Sequence, residues 1–181
     1  MKLRNYSSEG IILSRKNYSE ADRILIVFSK NYGKLSLLAK GIRKLKSKKR
    51  GHLEIFSHIK FSAVKTKGID IVTEVDTINT YPKVRANLNK ISLAYYFCEV
   101  VTKTTREDEI HNNIFNLLMN FLKRLGSETK LKKLRHEFLY ELLEELGYWP
   151  EGKKLIDADY VLEEVTERQI NSFRVGKKIL V

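Results

Sequence analysis

Residues 22–50 read DRILIVFSKNYGKLSLLAKGIRKLKSKKR, and the order of patterns inside this stretch decides the fold. Residues 22–28 carry ILIVF, a run too short for a typical helix and rich in β-branched side chains, so they read as a strand. Asn31-Tyr32-Gly33 has turn chemistry. In 34–40, Leu35, Leu37 and Ala39 alternate with Lys34, Ser36 and Lys40, broken only by Leu38, which is the period of a second strand. Residues 40–50 then place seven Lys or Arg in eleven positions with no acid among them. Charges that close lie within the Debye length of about 8 Å at physiological salt and repel one another. They add nothing to a core, so the run is read as a long cationic loop.

The neighbouring segments extend the pattern. Residues 10–13 open an earlier strand, and a strand over 54–64 carries Ile55, Ile59, Phe61 and Ala63 on one face. A last strand sets Ile69, Ile71, Thr73 and Val75 against Asp70 and Glu74, after a turn at Lys67-Gly68. Five short strands, tight turns and one long loop predict a small closed barrel of OB type. The fold class is therefore α+β by segments: a five-stranded OB-like β-barrel at 1–80, followed by an all-α helical domain at 81–181.

After Tyr81-Pro82 the period changes. Val84, Leu88, Ile91, Tyr95, Cys98 and Thr102 follow helical spacing. A second stripe runs Ile110, Ile114, Leu117, Leu118, Phe121 and Leu125, with Gly126 as its stop. A third runs Leu131, Leu134, Phe138, Leu142 and Leu146, ended by Gly147 with Pro150 just beyond. The short SET segment between the last two favours an antiparallel pair. In the tail, 160–165 reads as a short strand and 166–173 as a short helix.

The formal charge of +12 is unevenly held: 17 basic and 7 acidic side chains lie in 1–80, against 17 and 15 in 81–181. The first half is thus the cationic one, at net +10 against net +2. Such a balance points to a polyanion, most simply a nucleic acid. A lone Cys98 excludes an internal disulfide and a multi-cysteine zinc site, and the four histidines lack paired metal spacings. No apolar run has the length of a signal peptide or a membrane span, so a soluble, cytoplasmic protein without membrane contact is expected. No phosphate loop or nucleophile elbow is present, and no cofactor is expected. Glu20, Asp22, Asp70, Glu74 and Asp76 lack metal spacing. The plainer role for Asp22 is a turn acid that pairs with a neighbouring Arg or accepts backbone N–H bonds.

Phosphate binding is mostly counterion release and needs several cations on one accessible surface. Lys40, Arg43, Lys44, Lys46, Lys48, Lys49 and Arg50 meet that need, with Lys34 across the sheet. Single strands also require flat rings for stacking. Tyr6, Tyr18, Tyr32, Phe56 and Phe61 are available; Phe28 and Phe61 fit the core pattern, whereas Tyr18 and Tyr32 lie in polar, turn-like surroundings and are expected to be exposed. In the third helix, Lys130, Lys132, Lys133 and Arg135 precede Glu137, Glu141, Glu144 and Glu145, an order that opposes the helix dipole. A cationic helix start beside apolar residues can receive an acidic, hydrophobic peptide. The competing reading pairs Lys133 or Arg135 with acids one turn on, such as Glu137.

Taken in order, Glu9-Gly10-Ile11-Ile12-Leu13, Tyr18-Ser19-Glu20-Ala21-Asp22-Arg23, Tyr32-Gly33-Lys34 and Ala39-Lys40-Gly41-Ile42-Arg43-Lys44, with Ser47 following, resemble the bacterial recombination mediator family RecO. Leu142-Leu143-Glu144-Glu145-Leu146-Gly147-Tyr148 and Pro150 are similar to the family's leucine-rich helix end and Gly-aromatic-x-Pro turn. The resemblance implies an N-terminal OB-fold, binding and annealing of single-stranded DNA, and contact with the acidic C-terminal tail of single-strand-binding protein. It further implies action with RecR to load RecA, with Lys40, Arg43 and Lys44 in the DNA-binding part. Many relatives carry four cysteines forming a zinc module after the turn; residues 151–159 have none, so zinc is not expected. The chain also looks short for the family at its C-terminal end.

Three other readings stand beside this one. They are an RNA-binding or ribosome-associated OB protein, a metal-dependent nuclease, and an adaptor whose basic loop is only an anchor. Should the loop and its neighbours neutralise about five phosphates, log K for single strands falls with log salt at a slope near −3.5, from roughly −0.7 per phosphate. Replacing Lys44, Lys46, Lys48 and Lys49 together with Ala is expected to flatten that slope in a salt titration. An unchanged slope would reject the loop as the main contact.

Overall fold

The computed structural model describes residues 5–44 and 53–166. These divide into two compact units, one of Met1–Thr80 with Thr105–His111, the other of Tyr81–Thr104 with Asn112–Val181. The first is a closed barrel of five strands, β1 (Asn5–Tyr18), β2 (Asp22–Ser29), β3 (Gly33–Ala39), β4 (His58–Val64) and β5 (Asp70–Asn79), in the order β1-β2-β3-β5-β4. All neighbours are antiparallel except β3 and β5, which run parallel and pair only at Leu37–Asp70 and Leu38–Ile71. The expected five-stranded OB-like barrel is present, with helices following it.

Alternation along the strands fills the barrel. Ile12, Leu25, Val27, Leu37, Ala39, Ile59, Phe61, Ala63 and Val72 form one buried cluster, joined by Ile42 and Leu53 from the loops. Gly10 shares the inward face with Ile12. A Cβ there would lie 2.5 Å from Val27 Cγ1 and 3.2 Å from Phe61 Cε1, so only glycine fits.

Three irregularities interrupt the ladders, and two of them move residues off the faces that strict alternation predicts. One lies between Ile12 and Ser14 and lets Ile11, Ile12 and Leu13 all be buried. The other lies opposite Ser62 and Ala63, which pair with Glu74 and Val72. It turns Val72 inward, while Thr73 faces solvent and Ile69 stays outside the strand, so the expected Ile69–Ile71–Thr73–Val75 face does not exist as one face.

Other boundaries also differ from expectation. β1 starts at Asn5, well before residue 10, and β4 starts at His58 rather than at residue 54. Residues 54–57 instead turn back along β1: the Phe56 N–H donates to the Ile12 carbonyl at 2.7 Å, and Phe56 takes φ 53°. That turn buries Phe56 completely and removes it as a stacking surface.

The helical unit holds α1 (Pro82–Arg85), α2 (Leu88–Thr104), α3 (Asn112–Ser127), α4 (Leu131–Glu145) and α5 (Ala158–Thr166). Phe97, Phe121 and Phe138 from α2, α3 and α4 form its aromatic centre, with centroid separations of 4.1–6.0 Å. The second and third apolar stripes mark the buried faces of α3 and α4, apart from Ile110, which precedes α3 and lies with the barrel unit. On α2 the stripe misleads. Leu88 is 77% exposed and Tyr95 38%, while Leu93, Ala94, Tyr96, Phe97, Val100 and Val101 are buried. Four other helices pack on α2, so a wide arc is covered and one line of apolar residues cannot name it.

α4 ends as its sequence predicts. Gly147 takes φ 75°, its N–H donates to Glu144, and the Tyr148 N–H reaches Leu143, a Schellman closure that satisfies the last carbonyls. Residues 160–165 are helical within α5, not a strand. The apolar Val161, Leu162 and Val165 serve a helix face that docks by Leu162, and the Asp157 carboxylate accepts the Tyr160 N–H at 2.9 Å near its start. Apart from Thr166, the helix expected over 166–173 lies outside the described residues. Gly10→Ala should overpack the barrel and cost about 1–3 kcal/mol, read as a lower denaturant midpoint at an unchanged slope.

Candidate nucleic-acid interface

One end of the barrel carries cations fixed by backbone. β1 and β2 turn through Ser19-Glu20-Ala21, with Tyr18 paired to Asp22. The Asp22 carboxylate accepts the Gly41 N–H at 2.7 Å, so it is the structural turn acid expected from sequence. The Arg43 N–H donates to the Ala21 carbonyl at 2.9 Å, and Arg43 Nη1 reaches the Ser19 carbonyl at 3.2 Å. Ile42 is buried in the barrel core between them. Gly41 makes this possible by taking φ 67°, which a side chain would strain. The start of the cationic run is thus pinned against the β1–β2 turn. Lys40, Arg43 and Lys44 are exposed there beside Tyr18, itself 50% exposed. Lys46, Lys48, Lys49 and Arg50 lie outside the described residues.

The other expected residues lie elsewhere. Tyr32 sits in the β2–β3 turn at the opposite end of β2, a strand whose seven steps span about 23 Å at ~3.3 Å each. Tyr18 and Tyr32 are both exposed but do not share a site. Lys34 is corrected outright: it is buried, and its ammonium donates to the Thr105 carbonyl. Burial holds its pKa below the usual lysine range, while Glu107 and Glu109 oppose that shift. Alternation along β3 put Lys34 on an outer face; the sequence did not disclose that 105–111 covers it.

That segment lies along the first half of β3. The Asp108 N–H donates to the Lys34 carbonyl at 3.2 Å, and the Ser36 hydroxyl donates to Glu107 at 2.9 Å. Gly33, with φ 67°, lies so close that an added Cβ would fall 2.0 Å from the Glu109 carbonyl oxygen. Across the gap, Tyr6 packs on Tyr32 at 4.7 Å and donates its hydroxyl to Asp70 at 2.8 Å. The second Asp70 oxygen accepts the Thr66 N–H at 2.9 Å and so orders the β4–β5 loop with exposed Lys65 and Lys67. Burial, then Asp70, raises the Tyr6 pKa, so the hydroxyl stays protonated. Reading the sequence alone missed this second end. Its one signal is the acidic run Glu107-Asp108-Glu109, which continues neither helical stripe around it.

In the helical unit the four expected partner cations divide. Lys130 and Lys132 are exposed, and Lys133, also exposed, faces Glu137 one turn on at 3.6 Å. Arg135 is committed to structure: it is ion-paired with Asp159 of α5 and stacked 4.6 Å over the Tyr96 ring. Among the described residues no cluster of three or more His, Cys, Asp or Glu could hold a metal, and no helix is long and apolar enough to cross a membrane.

Family models match both units. The model for the recombination protein O N terminal covers residues 1–81, and that for the C terminal covers 85–154. The chain belongs to the RecO family. It is 35% identical to the DNA repair protein RecO of Dehalococcoides mccartyi (strain 195) over 165 residues, 91% of this chain and 65% of that one. It is 30% identical to the DNA repair protein RecO of Roseiflexus sp. (strain RS-1) over 93% of this chain and 59% of the relative. A third, from Pelotomaculum thermopropionicum, is 31% identical over 83% and 57% respectively. The chain therefore spans less than two thirds of the length of these RecO relatives.

Because Lys34 serves the Thr105 carbonyl, Lys34→Met should behave as a stability variant. Leaving that buried carbonyl without its charged donor is expected to cost about 1–3 kcal/mol in denaturant unfolding. The salt dependence of strand binding should stay as in the unaltered chain.

Proposed function

We propose that this RecO-family chain is a non-enzymatic DNA-repair and recombination mediator that binds single-stranded DNA on its barrel and anneals complementary strands. The observation that carries the reading is the pinned corner where Lys40, Arg43 and Lys44 stand exposed beside Tyr18. Backbone anchoring means these cations need little ordering when a strand arrives, while the run continues through Lys46, Lys48, Lys49 and Arg50 in sequence. Annealing needs no bond chemistry. Cations that neutralise phosphates on two strands reduce their repulsion, and base pairing supplies the rest.

The helical unit meets proteins in this proposal, and assisted loading of recombinase follows from it. Exposed Lys130, Lys132 and Lys133 suit the acidic tail of single-strand-binding protein, and RecR is the second partner. Arg135 acts by holding α5 to α2 and α4, so its contribution to partner binding is indirect. Its work on chromosomal DNA sets it in the cytoplasm at the nucleoid.

Annealing of complementary oligonucleotides coated with single-strand-binding protein should run faster with this chain present. Lys40→Ala, Arg43→Ala and Lys44→Ala combined should remove most of that gain. The same variant should flatten the binding slope by about 2, from roughly 0.7 per lost phosphate contact. Equal annealing rates with and without the chain would defeat the mediator reading.

A further inference from the structure

The far end of the barrel, around Tyr32, holds a groove of about 1070 Å³ between β3, the β4–β5 loop and the 105–111 segment. Tyr6 and Tyr32 line it, together with Lys65, Asp70, Glu107 and Asp108. Resting on the single-strand reading above, we propose that this groove takes an unstacked nucleobase bearing an exocyclic amine, as cytosine and adenine do and thymine does not. It opens beside Tyr32, at the other end of β2 from the cationic corner, and runs back along β3 as far as Ile24.

The chemistry follows from the walls. Tyr6 is immobilised by its bond to Asp70 and its edge contact with Phe61, with centroids 6.4 Å apart. It backs Tyr32, a residue that remains 39% exposed. A ring held from behind and open in front is a stacking platform, and stacking is indifferent to base identity. Identity enters through the acids. Ionised carboxylates only accept hydrogen bonds, and Glu107 and Asp108 stand exposed on the groove wall. The amines of cytosine and adenine offer two N–H donors at the edge of the ring, whereas thymine offers only its ring N3–H, flanked by two carbonyl oxygens that carboxylates repel. Those same acids disfavour phosphate, so the backbone belongs at the rim, where Lys65 and Lys67 lie in one ordered loop.

The acidic wall is built rather than incidental. Glu107 accepts from Ser36, the Asp108 N–H is spent on the β3 backbone, and Asp108 takes φ 60°, a conformation costly for a residue other than glycine. Buried Lys34 holds the segment from beneath through Thr105. The backbone that bears both acids is therefore fixed in place, and Glu107 is held by Ser36 as well.

Fluorescence anisotropy with labelled oligo(dC) and oligo(dT) of equal length, at neutral pH and one salt concentration, tests the assignment. The unaltered chain should bind oligo(dC) about tenfold more tightly or better, the scale of one hydrogen bond to a charged group. Glu107→Ala with Asp108→Ala should erase the preference while both oligomers still bind. Tyr32→Ala should weaken both by about fivefold or more, and Tyr32→Phe should keep the original affinity. Thermal melting of each variant, followed by circular dichroism, verifies its fold, and the unaltered chain's ratio needs no variant. Equal affinity for the two oligomers, or a preference that survives loss of both acids, overturns the base-binding groove alone. Absence of binding to either oligomer at low salt overturns the single-strand reading with it.

Discussion

β3 and β5 are joined by only two ladder pairs, and the form of the first unit follows from how short that closure is. A barrel sealed at Leu37–Asp70 and Leu38–Ile71 leaves the first half of β3 without a strand on that side. Backbone groups there still require partners, since an unpaired buried N–H or carbonyl costs about as much as a lost hydrogen bond. The chain answers with a piece borrowed from beyond α2. Residues 105–111 lie along Gly33–Ser36, where the Asp108 N–H donates to the Lys34 carbonyl and Glu107 accepts from the Ser36 hydroxyl. Because that piece bears Glu107, Asp108 and Glu109, the repair of an incomplete barrel also sets an acidic wall on a cationic unit.

The two ends of the barrel consequently differ in kind. At the β1–β2 turn, charge is presented: Asp22 and the Ala21 carbonyl hold the chain at Gly41 and Arg43, and three cations face water. At the β2–β3 turn, charge is consumed. Lys34 is buried on Thr105, Asp70 is shared by Tyr6 and Thr66, and exposed Tyr32 packs on Tyr6. A net charge of +12 is thus a poor guide to local potential here. Which lysine faces solvent matters more than how many there are.

The helical unit shows the same division between pattern and partner. α3 and α4 have narrow apolar stripes, and Phe121, Leu125, Phe138 and Leu142 are buried where spacing placed them. α2 is surrounded, so its stripe of Leu88, Tyr95 and Cys98 mixes exposed and buried residues. Arg135 has a charge that reads as available in sequence, yet its guanidinium lies over Tyr96 and closes on Asp159, a residue 24 positions later. Such distant pairings leave no periodic trace.

Local rules were enough for much of this molecule. Alternation in 22–40, the Asn31-Tyr32-Gly33 turn, the glycine that ends α4 and the exposure of Tyr18 all depend on neighbours within a few residues, where propensity and spacing act directly. So does the cationic run, whose composition needs no fold to be recognised. The inward turn of Val72, the burial of Phe56, the loss of Lys34 to Thr105 and the meeting of Tyr6, Tyr32 and Asp70 were settled by bulges and by contacts between segments tens of residues apart. A bulge changes side-chain parity without changing composition, and a covering segment changes exposure without altering the strand it covers. Neither effect is written in the residues it acts upon.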